Sequence, residues 1–226
     1  MSDNSEKELD RRPIAARNMK FSSVVTDRLA AIGVSPNTIS VWSVIFGCLS
    51  GAAFWATSGN NAPQGLLFLL AAFFILMRLL ANMFDGMVAV KTGTSSAVGE
   101  LYNEVPDRIS DSIILIGAGY AVSGSVLAGF WAALCAMLTA YVRAVGKGAG
   151  ARQEFCGPMA KQQRMFLLIV SALFMAAAPE AWRPDFGWSG GQGLLAVVLI
   201  FIAVGSGYTS WRRLKKINHA LIKGVV

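Results

Sequence analysis

Five carboxylates lie in the stretch 82–111, between two long apolar segments of this sequence. Acidic side chains beside hydrocarbon are costly, and they are kept where they pair with cations or take part in chemistry. Carboxylates bind hard divalent cations and accept protons from reacting groups. The stretch is therefore the strongest candidate for a functional site. The five residues are Asp85, Glu100, Glu104, Asp107 and Asp111.

The spacing of the polar residues in this stretch predicts two oxygen-rich helix faces. Asn82 and Asp85, at i and i+3, share one face of the first helix. On the next helix, five polar residues fall within an arc of about 100°, at about 100° per residue. Two such faces meeting at headgroup level suit Mg²⁺ or Mn²⁺, which prefer carboxylate and amide oxygens. The five residues are Glu100, Asn103, Glu104, Asp107 and Asp111.

The same pattern is compatible with a solvated helix end. In that interpretation Glu104 and Arg108 form an ordinary i,i+4 ion pair and no metal is bound. The spacing alone leaves both interpretations open.

The composition predicts a membrane protein. The chain has 226 residues, 54% hydrophobic and 15% charged, with a mean hydropathy of +0.52. Soluble domains carry about 25% charged residues. The net charge of +7 lies mostly at helix ends and in the tails, which favours contact with anionic lipid and excludes a nucleic-acid partner.

Three scattered cysteines and one histidine make a zinc site or disulfide framework untenable.

The predicted fold class is an all-α integral membrane protein with six transmembrane helices preceded by an N-terminal interfacial amphipathic helix. Residues 1–17 form a polar tail, 18–33 the amphipathic helix, 34–211 the membrane domain and 212–226 a basic cytoplasmic tail. Gly33 ends the amphipathic helix, and Ser35 caps the next one with Pro36 at its first position. The spans, each long enough for a core of about 30 Å, are Thr38–Thr57, Gly65–Ala89, Ala97–Val122, Val126–Gly146, Met159–Ala178 and Gly191–Ser210.

The charges of the connections predict the orientation. Basic residues concentrate on the side that holds both termini, which the positive-inside rule assigns to the cytoplasm. We expect a bacterial inner membrane as the location. Arg78 lies deeper in the second span than Asp85, so it is expected to face the bundle interior or an acidic partner.

The stretch 82–107 resembles the signature of the CDP-alcohol phosphatidyltransferase family. That signature is D-x-x-D-G-x-x-A-R, eight residues, then G-x-x-x-D-x-x-x-D. This sequence has N-M-F-D-G-M-V-A-V, eight residues, then G-E-L-Y-N-E-V-P-D. Six spans after an interfacial helix also agree with the family. The matching positions are Asp85, Gly86, Ala89, Gly99 and Asp107.

The resemblance implies that a hydroxyl attacks the β-phosphorus of a CDP-linked lipid and releases CMP, in phospholipid biosynthesis. Two metal ions, Mg²⁺ or Mn²⁺, would bind the pyrophosphate, and Asp107 would act as general base. The implied metal ligands are Asn82, Asp85, Asn103 and Asp107. The implied nucleotide contacts are Asn37, Asp85, Gly86, Ala89 and Gly99. A homodimer would also be in keeping with the family.

Three residues depart from the signature. Asn82 and Asn103 replace aspartates, and Val90 replaces the arginine. Amide oxygens can still ligate, but two negative charges are lost, which lowers metal affinity. We expect Glu100 or Asp111, one turn from Asn103 and Asp107, to restore charge to the site.

A basic segment between 141 and 165 is the candidate acceptor site. It resembles the corresponding region of phosphatidylinositol-phosphate synthases, which use a phosphorylated acceptor. Four basic residues there would bind an anionic headgroup or phosphate, although topology alone also explains basic residues on this side. They are Arg143, Arg152, Lys161 and Arg164.

Two other functions compete with the enzyme. A non-catalytic relative would bind lipid or nucleotide, or scaffold a partner, after losing two metal ligands. A transporter is least favoured, because transport sites lie near the membrane midplane whereas these acids cluster at one interface.

Overall fold

The computed structural model describes residues 20–94, 97–188 and 192–223, without the side chains of 97–100, 102, 103, 187 and 188. Within these ranges seven α-helices follow one another, and a short antiparallel hairpin precedes the last. The helices are α1 (Lys20–Ala31), α2 (Pro36–Ala56), α3 (Gln64–Lys91), α4 (Ala97–Tyr120), α5 (Val126–Gly148), α6 (Lys161–Ala177) and α7 (Leu194–Lys223). The hairpin pairs β1 (Asp185–Trp188) with β2 (Gln192–Gly193) and was not predicted.

The turn between α1 and α2 forms as the sequence predicts. Gly33 has a φ of +73°, a conformation that favours glycine and ends α1. The Ser35 hydroxyl oxygen accepts a hydrogen bond from the amide of Thr38 at 3.1 Å, and Pro36 begins α2. The predicted N-cap is therefore confirmed.

Four of the described helices are long and apolar enough to cross a bilayer: α2, α3, α5 and α7. The chain is thus an all-α integral membrane protein. Two predicted spans do not meet these limits. α6 has 17 residues, and α4 carries five charged residues between Glu100 and Asp111, so the six-span topology stays a prediction.

Small residues allow the helices to approach closely. α2 packs against both α3 and α4, while α5 packs against α4 and α7. The main apolar core is rich in alanine and is filled by larger side chains such as Phe54, Phe68 and Ile75. Where α2 crosses α4, a Cβ placed on Gly117 would lie 2.4 Å from the carbonyl oxygen of Gly51. Close backbone contact of this kind is typical of helix pairs in membranes.

The α1 helix contacts the bundle through small polar residues and part of its apolar side. Ser22 and Thr26 are buried, and Val25 and Leu29 pack against an apolar cluster formed by α2 and α3, whereas Phe21 is exposed. The Thr26 hydroxyl faces the Met87 sulfur of α3 at 3.8 Å. An outward apolar face suits a helix lying in the headgroup region, and that location stays a prediction.

The last helix extends into the predicted basic tail. α7 continues to Lys223, which places the tail's first residues within a helix of 30 residues. Its buried Arg213 donates to the carbonyl oxygens of Cys156, at 2.9 Å, and Thr139, at 2.8 Å. Thr209 accepts from the amide of Met159 at 3.1 Å. α7 therefore fixes the connection from which α6 starts.

The crossing at Gly117 gives a test of the packing. A Gly117→Ala variant forces the α2 and α4 backbones apart, which costs about 1–3 kcal/mol and lowers the apparent Tm of the detergent-solubilised protein. Gly207→Ala is the matched control on α7, because nothing lies within 4 Å of its added Cβ. It should leave Tm unchanged or raise it. Equal Tm values for the two variants would contradict this packing.

Candidate active site

Two serines of α2 hold the first half of the signature. The Ser40 hydroxyl donates to Asp85 Oδ2 at 2.8 Å, and the Ser43 hydroxyl donates to Asn82 Oδ1. Ser40 and Ser43 are spaced i and i+3, as are Asn82 and Asp85, so two antiparallel helices match side chain for side chain. These contacts fix both signature residues against α2.

Asp107 of α4 is surrounded by four other side chains that carry N–H groups. Lys161 Nζ lies 2.6 Å from its Oδ2, and Arg78 Nη2 lies 3.1 Å from its Oδ1. Asn82 Nδ2 donates to the same Oδ1. Arg108 Nη2 lies 3.6 Å from Oδ2. Both oxygens of the candidate base are therefore engaged, and the Asn82 contact joins the two halves of the signature.

Asp111, one turn further along α4, lies between two guanidinium groups. Arg78 Nη2 is 2.9 Å from its Oδ1, and Arg164 Nη2 is 3.1 Å from its Oδ2. Arg164 also donates to the carbonyl oxygen of Met159 at 2.9 Å. The prediction that Arg78 faces an acidic partner is confirmed, and it has two. Arg164, expected at the acceptor site, is only 1% exposed and binds Asp111 instead of facing open space.

Two of the three buried carboxylates of this region pair with cations. Three buried carboxylates, Asp85, Asp107 and Asp111, lie in the same part of the bundle as three cations. Asp107 and Asp111 take all the described ion pairs to these cations, which are Arg78, Lys161 and Arg164. Buried ions need such partners, because removing a charge from water is expensive.

A second, more exposed group of charges lies beside this site. Glu104 forms the i,i+4 pair with Arg108 that the solvated-helix-end interpretation expects, at 3.3 Å, and a further ion pair with Arg143. The Arg143 guanidinium lies 5.2 Å from the centroid of the Phe155 ring. Arg152, on the connection between α5 and α6, is exposed. Of the four predicted acceptor residues, Lys161 contacts the base directly, and Arg143 and Arg152 are not buried.

The remaining predicted site residues divide by location. Asn37 is exposed in the first turn of α2, and Gly86 and Ala89 are partly buried on α3. The side chains of Glu100 and Asn103 lie outside the described residues, as do the surroundings of Gly99. Their predicted roles therefore stay predictions. Lys91, beside Val90, pairs with Asp27 of α1 rather than with the signature residues.

A metal ion fits the described residues at one position. Asp85 is 3% exposed, and its Oδ1 is a buried oxygen without a hydrogen-bond partner among the described residues. The carbonyl oxygen of Asn82 belongs to the same helix face. No group of three or more histidine, cysteine or acidic side chains converges in the part of the chain that was described. The residues thus suit a cation bound by one carboxylate and an amide oxygen.

Two kinds of contact were not predicted from the sequence. Ser40 and Ser43 were not predicted to bind the signature residues, although their i,i+3 spacing mirrors that of Asn82 and Asp85. Lys161 was predicted only at the acceptor site, because its contact with Asp107 joins residues far apart in sequence. A local pattern of charge gives no indication of such a pairing.

Comparison with known proteins shows the family. The sequence profile described as CDP-alcohol phosphatidyltransferase matches residues 33–208. A phosphatidylinositol phosphate synthase of Streptomyces avermitilis is 26% identical over 205 residues, covering 85% of this chain and 77% of the relative. An archaetidylinositol phosphate synthase of Methanothermobacter thermautotrophicus is 24% identical over 216 residues, covering 95% of this chain and 100% of the relative.

The fold is also that of a solved structure. The crystal structure of Mycobacterium tuberculosis phosphatidylinositol phosphate synthase with CDP-DAG bound superimposes with a TM-score of 0.68, at 17% identity, covering 88% of this chain and 94% of that one. A second structure of that enzyme, with manganese and citrate, gives a TM-score of 0.66 at 18% identity over 85% and 87% of the two chains. Together with the signature and its location, the profile match establishes that this chain belongs to the CDP-alcohol phosphatidyltransferase family of membrane transferases.

Proposed function

We propose that the protein transfers the phosphatidyl group of CDP-diacylglycerol to a phosphorylated alcohol and releases CMP. The observation that carries the proposal is the hydrogen bond from Asn82 to Asp107, which brings the two halves of the signature together. The similarity to two inositol phosphate lipid synthases supports a phosphorylated acceptor. The proposed location is a bacterial inner membrane with both termini in the cytoplasm.

In this reaction Asp107 is the proposed base. Its Oδ2 would accept the proton of the acceptor hydroxyl while the hydroxyl oxygen bonds to the β-phosphorus. The bond from that phosphorus to the bridging oxygen breaks, and the electron pair leaves with CMP. Asn82 and Arg78 hold the other oxygen, so the carboxylate keeps its orientation.

Lys161 connects acceptor binding to this step. Its ammonium lies 2.6 Å from the oxygen that would take the proton, so it has to turn away before the hydroxyl can approach. The phosphate of an anionic acceptor attracts an ammonium. Arg143 and Arg152, which are not buried, would bind the same phosphate, while Arg164 would act only by holding Asp111.

The donor, CDP-diacylglycerol, would lie on the side of the site formed by α2 and α3. Gly86 and Ala89 are small residues that let a nucleotide approach the α3 backbone, and Asn37 lies at the start of α2. A divalent cation held by Asp85 and the Asn82 carbonyl oxygen would supply positive charge to the pyrophosphate.

The proposed activity can be measured as CMP release from CDP-diacylglycerol by purified protein with Mg²⁺ or Mn²⁺ and a panel of acceptors. Asp107→Asn should lower the rate by about 100-fold or more, because a positioned base contributes about 10²–10⁴-fold. Asp27→Asn is the matched control, since this carboxylate pairs with Lys91 on an exposed surface. It should keep the wild-type rate.

The replaced aspartates favour one alternative, a relative that binds a lipid or nucleotide without turnover. Absence of metal-dependent CMP release with every acceptor would support it and contradict the enzyme. So would an Asp107→Asn variant as active as the wild type.

The acceptor site gives a second prediction. Arg152→Gln should raise KM for a phosphorylated alcohol by about tenfold, the loss of one charge-assisted contact, with kcat and the KM for the donor nearly unchanged. An unphosphorylated alcohol should show no such change. Arg212→Gln, an exposed arginine of α7, is the control. An equal effect of the two substitutions would show that surface charge, not a specific contact, is responsible.

A further inference from the structure

We propose that the Lys161 ammonium replaces a metal ion beside Asp107, so that the substrate-free protein binds one divalent cation per chain, at Asp85. The proposal deepens the proposed function by assigning the charges of the same site. It needs no turnover to be tested.

Asp107 is fully compensated by the protein's own donors. Its Oδ2 faces Lys161 at 2.6 Å, and its Oδ1 faces Arg78 at 3.1 Å and the amide of Asn82. A divalent cation at either oxygen would have to displace one of these groups and lie beside the other positive charges. Like charges close together in a site with little water repel strongly. Asp107 is therefore a poor metal ligand in the resting protein.

Asp111 is compensated in the same way. Its two oxygens face Arg78 and Arg164, at 2.9 and 3.1 Å. Arginine cannot lose its charge in a protein, so neither guanidinium can become neutral to admit a metal ion. The lost negative charge of Asn82 and Asn103 is thus not restored by Asp111.

Asp85 differs from both. It is as buried as Asp111, yet no described cation forms an ion pair with it, and its hydrogen-bond partners are neutral, the hydroxyl of Ser40 and the backbone of Gly86. Among the described residues neither Asp85 Oδ1 nor Asp111 Oδ1 has a hydrogen-bond partner, but Asp111 Oδ1 lies 2.9 Å from Arg78 whereas Asp85 has no such cation. A buried carboxylate without a cation is costly, and a hard divalent cation would supply the missing charge. Asp85 Oδ1 points to a single metal position.

Asn82 hydrogen-bonds to Asp107 and shares a helix face with Asp85. Its amide nitrogen donates to Asp107, and its carbonyl oxygen accepts from Ser43. A carboxylate at this position would have no N–H to donate and would repel Asp107. Asn82→Asp together with Lys161→Met should therefore open a second cation position, since one adds a negative charge and the other removes the competing cation.

The test is the number of Mn²⁺ ions bound per chain, measured by electron paramagnetic resonance of free Mn²⁺ during titration of purified, substrate-free protein. We expect one ion for the wild type, for Asp107→Asn and for the control Asp27→Asn. We expect loss of binding in Asp85→Asn and two ions in the Asn82→Asp/Lys161→Met double variant. Size-exclusion profiles and circular dichroism establish that each variant is folded.

Three results would overturn the proposal. They are two ions or none in the wild type, binding that depends on Asp107 and not on Asp85, and a single ion in the double variant. If Asp107→Asn does not fold, the wild-type count and the double variant still decide. A protein that binds one ion but releases no CMP would refute the proposed function and leave this assignment intact.

Discussion

The structure depends on the pairing of buried charges within a membrane bundle. Arg78 is fully buried on α3 and lies between Asp107 and Asp111 of α4, and Arg164 of α6 reaches Asp111 from the other side. An unpaired charge in this position would be far more costly than in water. The need to satisfy each charge therefore fixes the register of three helices. It also brings Asp107, in the second half of the signature, within hydrogen-bond distance of Asn82 in the first half.

The close helix packing serves the same end. Gly51 and Gly117 let α2 approach α4, while Ser40 and Ser43 bind the polar side chains of α3. Neither set of contacts provides a cation for Asp85. Among the described residues, Asp107 and Asp111 are thus neutralised from within, whereas Asp85 pairs with no cation.

The sequence was sufficient for the parts of this arrangement that follow from local spacing. The N-cap at Ser35, the Glu104–Arg108 pair and an acidic partner for Arg78 all depend on neighbours along a helix or on the cost of a buried charge, and all are present. The contact of Lys161 with Asp107 joins α6 to α4, so it depends on how helices pack and could not be predicted. The continuation of α7 to Lys223 was not predicted, because the apolar pattern ends where the basic tail begins. The helix continues there because the tail holds no helix-breaking residue before Lys223.

In the proposed assignment, the protein's own cations pair with Asp107 and Asp111 and leave Asp85 for the metal. The most direct measurement is anomalous X-ray diffraction at the manganese edge from crystals grown with Mn²⁺ and without substrate. We predict one peak per chain, against Asp85, with the Lys161 ammonium still beside Asp107. A peak coordinated by Asp107 or Asp111, with Lys161 displaced, would contradict this assignment.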